Sequence, residues 1–116
     1  MLIDYHAHVN FNAFNDDASE VIKRAHEAGV FMVLVGSQID TSRRAVKIAA
    51  QYKTGVWAAV GLHPIHLEDM EVDEEEEHFA TRKEIFDPAA YRALARHEKV
   101  VAIGECGLDY YHTPSP

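Results

Sequence analysis

The sequence predicts an α/β fold of the (β/α)8 TIM-barrel type, of which this chain supplies about four strands and three helices, a half-barrel. Three observations predict it. Apolar segments starting near residues 2, 30, 56 and 100 alternate with segments of helical periodicity, and a βαβαβαβ series of this kind makes parallel strands. The runs Val30–Val35 and Val56–Val60 are apolar without alternation, as in strands buried on both faces. Finally, His6 and His8 end the first strand, His63 follows the third and Glu105 follows the fourth, and a parallel barrel collects its chemistry at those C-terminal strand ends. An open doubly wound sheet would need a glycine-rich phosphate loop after the first strand or a site at a strand-order switch point. This chain has histidines after its first strand. A full barrel takes about 250 residues, and the chain has 116.

Each element has its own signal. Leu2–Tyr5 reads as a short buried strand, and Asn10–Asn15, polar but for Phe11 and Phe14, reads as a loop. Asp17-Ala18-Ser19-Glu20 has the acidic capping-box spacing. Ala18, Val21, Ile22, Ala25 and Ala28 then recur at helical intervals, with Gly29 placed to end the helix. After the strand Val30–Val35, Gly36-Ser37-Gln38 turns the chain, and Asp40 or Thr41 can cap a second helix with a core stripe of Ala45, Ile48, Ala49 and Tyr52. Gly55 opens the third strand, and Pro64 in Gly61-Leu62-His63-Pro64 marks a loop beyond it. Asp87-Pro88 is an N-cap and N1 pair for a third helix with Tyr91, Leu94 and Ala95 inward. The fourth strand, Val100–Ile103, runs into Gly104-Glu105-Cys106-Gly107-Leu108-Asp109-Tyr110-Tyr111.

Composition bounds the function. At 116 residues and 47% hydrophobic content, one ordinary domain is expected. The single cysteine, Cys106, rules out an internal disulfide and suits a reducing compartment. The first residues carry no basic region and no long apolar run, so a cytoplasmic protein without signal peptide or membrane span is expected. The net charge of −8 is local: eight of the ten residues from Glu68 to Glu77 are acidic, and the rest of the chain is neutral. No basic stripe offers nucleic acid a counterion-release surface, so a phosphate ligand would depend on metal ions and a few local groups. The acidic stretch 68–77 lies in the connection after the third strand and reads as a solvated insertion near the catalytic rim; it sits awkwardly with DNA and favours a smaller substrate.

The chemistry begins with Asp4-x-His6-x-His8. On a strand, histidines spaced i, i+2 point to one face and can share a metal ion. Together with Gly61-x-His63-Pro64 and Gly104-Glu105-x-Gly107-Leu108-Asp109-Tyr110, in this order and spacing, the first motif closely resembles the TatD family of metal-dependent hydrolases. The resemblance covers the whole chain but only the N-terminal half of the family's domain. It implies a (β/α)8 barrel of the amidohydrolase-like superfamily and, as in many members, a deoxyribonuclease using two divalent ions (magnesium, zinc or manganese). By position, His6 and His8 resemble the pair that binds the first ion, Glu105 the carboxylate that bridges toward the second, and His63 the histidine near the substrate phosphate. The family's remaining ligands, two histidines and a late aspartate, have no match here; His97 and His112 do not correspond to them. Cys106 stands where the family more often has an aliphatic residue.

The implied reaction is hydrolysis of a phosphodiester in DNA or a smaller phosphoester. Asp4 can orient a ligating histidine or satisfy the strand end, and Asp109 reads as a structural hydrogen-bonder. His26, His66, His78 and His97 read as surface histidines. On this reading the chain, residues 1–116, is the N-terminal half of a TatD-type barrel with an incomplete site, weakly stable and inactive unless self-association covers its open edges. Two alternatives remain: a PHP-type phosphoesterase or amidohydrolase-like small-molecule hydrolase, which also opens with HxH, and a non-catalytic metal-binding module. The turn from Glu105 to Tyr110 argues against the first.

Overall fold

The apolar runs become strands β1 (Leu2–Ala7), β2 (Val30–Val35) and β3 (Val56–Val60), with helices α1 (Ala18–Glu27) and α2 (Ile39–Ala49) between them. An antiparallel hairpin, β4 (Met70–Glu74) with β5 (Glu77–Thr81), precedes helix α3 (Pro88–Ala95) and strand β6 (Val100–Ile103). This computed structural model describes residues 1–67, 70–74, 77–81 and 83–112, without the side chains of the hairpin. The main sheet has the order β1-β2-β3-β6, and every neighbouring pair is parallel. This is the sequential α/β arrangement expected of part of a (β/α)8 barrel.

Period-two alternation divides the residues of β2 and β3 between two faces. Met32, Leu34, Val56, Ala58 and Val60 pack on Ile22 of α1 and on Ala45, Val46, Ile48 and Ala49 of α2, with Leu94 and Ala95 of α3 alongside. The other face carries a smaller cluster, Val33, Val35 and Ala59, against Trp57. Ile22 is fully buried in the larger cluster. Ile22→Val is therefore expected to cost about 1 kcal/mol, the usual loss for one buried methyl, read as a lower melting midpoint without change at the strand ends.

Several expectations are corrected. The first strand is longer than Leu2–Tyr5 and not buried: Leu2 and Tyr5 keep 71% and 73% of their surface, because β1 is a sheet edge whose open side has no neighbour among the described residues. The Asn10–Asn15 loop holds a 3-10 turn, Asn12–Phe14, tied to α2 by Arg44, whose guanidinium donates to the carbonyls of Phe11 and Phe14 and to the Asn15 side chain. Asp17 is at the N-cap of α1 but makes no capping bond with its side chain. The second helix starts earlier than Asp40. Gln38 is its N-cap, and the Thr41 hydroxyl accepts the N–H groups of Ser37 and Gln38 at 2.9 and 3.0 Å. Gly29, at φ +77°, ends α1 as expected, and the Asp87 carboxylate caps α3 by accepting from Ala89 and Ala90.

The acidic connection is not wholly irregular, since its backbone forms the β4–β5 hairpin. The surface placement read for His78 and for the acidic side chains of the 68–77 stretch lies outside the described residues. Beyond the hairpin, Glu84 fastens the chain back. Its carboxylate accepts the N–H of Ile39 at the start of α2 at 2.8 Å and the hydroxyl of the buried Tyr91 on α3, a favourable place for an anion. Burial, and then the hydrogen bond to Glu84, raise the Tyr91 phenol well above its ordinary value of 10.0. A raised value in the folded state means that the neutral phenol stabilises the fold below about pH 10 and that this contribution is lost as pH rises further. In an alkaline titration followed at the phenolate absorbance, Tyr91 is expected to ionise only as the chain unfolds. That late phase should be missing from Tyr91→Phe.

Candidate metal centre

The C-terminal end of β2 organises the site through three consecutive carbonyls. Val35 accepts from His8 Nδ1 at 3.0 Å and from Asn10 Nδ2 at 3.1 Å. Gly36 accepts the Glu105 N–H at 2.9 Å, and Ser37 accepts the His63 N–H at 2.8 Å. One short segment thus anchors His8 from the end of β1, His63 from the end of β3 and Glu105 from the end of β6.

Three of the four residues expected in the site converge. Ligand atoms of His6, His8 and Glu105 all lie within 4.8 Å of one another. His6 Nε2 is 3.2 Å from His8 Nε2 and 3.1 Å from Glu105 Oε1. A carbonyl can only accept, so the bond to Val35 places the proton of a neutral His8 on Nδ1 and leaves the Nε2 lone pair facing His6. Lone pairs so placed repel unless a cation or proton lies between them. Donors about 2.0–2.2 Å from one ion lie roughly 3 Å apart, which is the spacing of His6 from each of the other two. The residues therefore fit a divalent cation, with Glu105 as the anionic member. Its side chain retains 23% of its surface and that of His6 56%, so the cluster opens to solvent on the His6 side.

His63 is held as a hydrogen-bond donor. Its Nδ1 accepts the N–H of Ile65 at 3.0 Å, which leaves the proton of the neutral ring on Nε2. The ring is half-buried on the same rim, though not among the three converging ligands. Asp4 accepts the backbone N–H of His6 at 3.0 Å, at the strand end where the register with β2 shifts, so its carboxylate is engaged by the main chain. Asp109 is structural, as expected. Its carboxylate accepts the N–H groups of Tyr111 and His112 and meets His112 Nδ1 at 2.6 Å. The His112 N–H is the main cause that holds the Asp109 carboxyl below its ordinary range.

Of the histidines expected on the surface, His66 is buried. His26 is half-buried between Phe31 and Tyr52, with Nε2 3.2 Å from the Gly55 carbonyl oxygen. His97 is half-buried too and accepts the Lys99 N–H. His97 turns its ring back onto the backbone that follows α3, whereas His26 reaches across to the residue before β3, contacts that residue type and helical position do not reveal.

Several residues that shape the site carry no chemical signature in the sequence. The Ser42 hydroxyl, fully buried, accepts the Gly61 N–H at 3.2 Å and donates to the Gly61 carbonyl at 3.3 Å, which joins α2 to the end of β3. A Cβ on Gly36 would lie 2.2 Å from Ser42 Oγ, and one on Gly61 would lie 2.4 Å from the Glu105 carbonyl oxygen. Both glycines are thus required by close approach, and the Gly104–Glu105 peptide against Gly61 is cis. Asn10, also fully buried, was legible only as a polar loop residue.

Comparison with known proteins follows the same lines. The family described as TatD related DNase matches residues 3–116. An uncharacterized metal-dependent hydrolase, YabD, of Bacillus subtilis is 42% identical over all of this chain and 40% of its own length. Proteins named 3'-5' ssDNA/RNA exonuclease TatD are 32% identical in Erwinia amylovora, over 94% of this chain and 38% of theirs, and 35% identical in Cronobacter turicensis, over 98% and 40%. The chain spans about two fifths of the length of these curated relatives. Among the described residues no helix is long and apolar enough to cross a membrane.

Proposed function

The chain belongs to the TatD-related DNase family, and from that premise we propose that its strand-end rim binds a divalent metal ion and serves the hydrolysis of phosphodiester bonds. The observation that carries this reading is the convergence of His6, His8 and Glu105 donor atoms, with His8 Nδ1 engaged by Val35 and its Nε2 left to coordinate. A divalent ion bound there supplies polarisation of a phosphoryl oxygen and acidification of an attacking water. His6 and His8 hold it with neutral imidazoles, and Glu105 adds the negative charge that retains it. His63, its proton fixed on Nε2 by the Ile65 N–H, donates to a non-bridging oxygen of the substrate phosphate. A second ion, toward which Glu105 would bridge, belongs to the same reading, as do magnesium, zinc and manganese as candidates.

The substrate we infer is a nucleic-acid strand, in keeping with the exonuclease names of the relatives, and the chain forms the N-terminal part of a larger barrel. Four strands, an exposed β1 and the exposed Val101 and Ile103 of β6 support that division. The test measures zinc or manganese binding, and hydrolysis of an aryl phosphodiester, for the 116-residue chain, His6→Ala and Glu105→Ala. Ion binding that depends on both residues, without turnover, is expected. Turnover by the chain alone would overturn the partial-barrel reading, and ion binding indifferent to both substitutions would overturn the metal centre.

A further inference from the structure

We propose that Asn10 is a positioning residue for the metal centre: its amide fixes the Val35 carbonyl that sets the orientation and tautomer of His8. The inference rests on the metal-centre reading above and adds a residue that the ligand motif does not include. Asn10 is fully buried, two residues past His8, and its Nδ2 donates to two carbonyls, Val35 at 3.1 Å and Thr41 at 2.9 Å. An amide turned the other way would set its oxygen against both carbonyl oxygens, so the geometry fixes which end faces them.

The Val35 carbonyl has two acceptor positions, and Asn10 and His8 Nδ1 take one each. Thr41 belongs to the first turn of α2, where its hydroxyl accepts the Ser37 and Gln38 N–H groups. The amide thus braces the Val35 peptide against the helix, and the peptide in turn presents a fixed oxygen to the imidazole. Phe11 closes the other side, its ring 4.2 Å from that of His8 between centroids. Without the amide, Val35 and Thr41 each lose a buried partner, and the peptide between Val35 and Gly36 is left with its Gly36 N–H bond to the Ala59 carbonyl, at 3.0 Å, while its oxygen loses the brace from α2. The acceptor that holds the His8 proton on Nδ1 is then less firmly aimed at the ring. Partners of ligating histidines outside the metal's own coordination typically contribute 10- to 100-fold in affinity, and Asn10 acts one hydrogen bond further back.

The test compares the unaltered chain with Asn10→Ala, His8→Ala and Ile22→Val, the last lowering stability away from the rim. Two quantities are read: zinc affinity by titration, and the ring 15N shifts of His8 in the ion-free chain. For Asn10→Ala a loss of affinity of about tenfold is expected, with His8 no longer held as the Nδ1–H tautomer, while Ile22→Val keeps both native values. Should Asn10→Ala fail to melt cooperatively, Asn10→Ser, which retains one donor, is read in its place and should show the same changes. Native affinity and a native tautomer in the folded Asn10 variant would overturn the proposal. So would equal losses in Ile22→Val, which would make the effect one of stability. If His8→Ala binds zinc as well as the unaltered chain, the metal-centre reading itself fails, and that outcome is distinct from the other two.

Discussion

Glu105→Ala is expected to lower the affinity of the chain for zinc or manganese by roughly a hundredfold, about 2.7 kcal/mol. The carboxylate is the single anionic ligand among the three converging groups, and neutral imidazoles alone retain a dication poorly. The measurement is thermal melting with and without the ion. An ion at a hundred times its dissociation constant stabilises the folded state by about 2.7 kcal/mol, which in a chain of this size raises the melting midpoint by roughly 10 °C. The native chain should show that rise and Glu105→Ala should show almost none of it. In the absence of ion the two midpoints should nearly coincide, because the contact between Glu105 and the exposed His6 contributes little in water. An ion-induced rise of native size in the variant would remove Glu105 from the ligand set.

Gly61→Ala should damage the fold and the site together. The added Cβ would lie 2.4 Å from the Glu105 carbonyl oxygen, 2.7 Å from the Gly104 carbonyl carbon and 2.9 Å from the Gly104 oxygen. All three are backbone atoms, so no rotamer change relieves the clash, and either the end of β3 or the Glu105 turn must move. Overpacking of this kind costs about 1–3 kcal/mol, and here it also pulls on the Ser42 bonds to Gly61 and the Gly36 bond to Glu105. A fall in the melting midpoint of roughly 10 °C with weakened zinc binding is expected. A variant with the native midpoint would mean that the two strand ends are not in this contact.

The difference between what the sequence disclosed and what it hid follows from these two glycines and their neighbours. Parallel strands, helices and the order of the elements were legible because burial on both faces leaves unbroken apolar runs such as Val30–Val35, and because Asp87-Pro88 and Gly29 mark helix ends by local backbone chemistry. The convergence of His6, His8 and Glu105 was legible because groups able to donate to a metal are marked by residue type. The hub that brings them together was not, since Val35, Gly36 and Ser37 act there through main-chain oxygens that every residue carries. Gly61 and Ser42 were hidden for a related reason: close approach is a property of two segments, and the sequence displays one at a time. Exposure of β1 was missed because an apolar strand reads alike whether its far side is covered or open. The hairpin was missed because its acidic composition resembles a solvated loop.

The row of three carbonyls also bears on how the site moves. Because His8, His63 and Glu105 hang from adjacent peptides of one strand end, a displacement of β2 carries all three as a common mode and leaves their separations nearly unchanged. His6 sits instead within β1, the exposed edge strand that pairs with β2, and meets the other donors through its side chain. On the proposed reading, His8, His63 and Glu105 then form one unit set by that strand end, and fitting an ion to the cluster depends on where the His6 ring is placed.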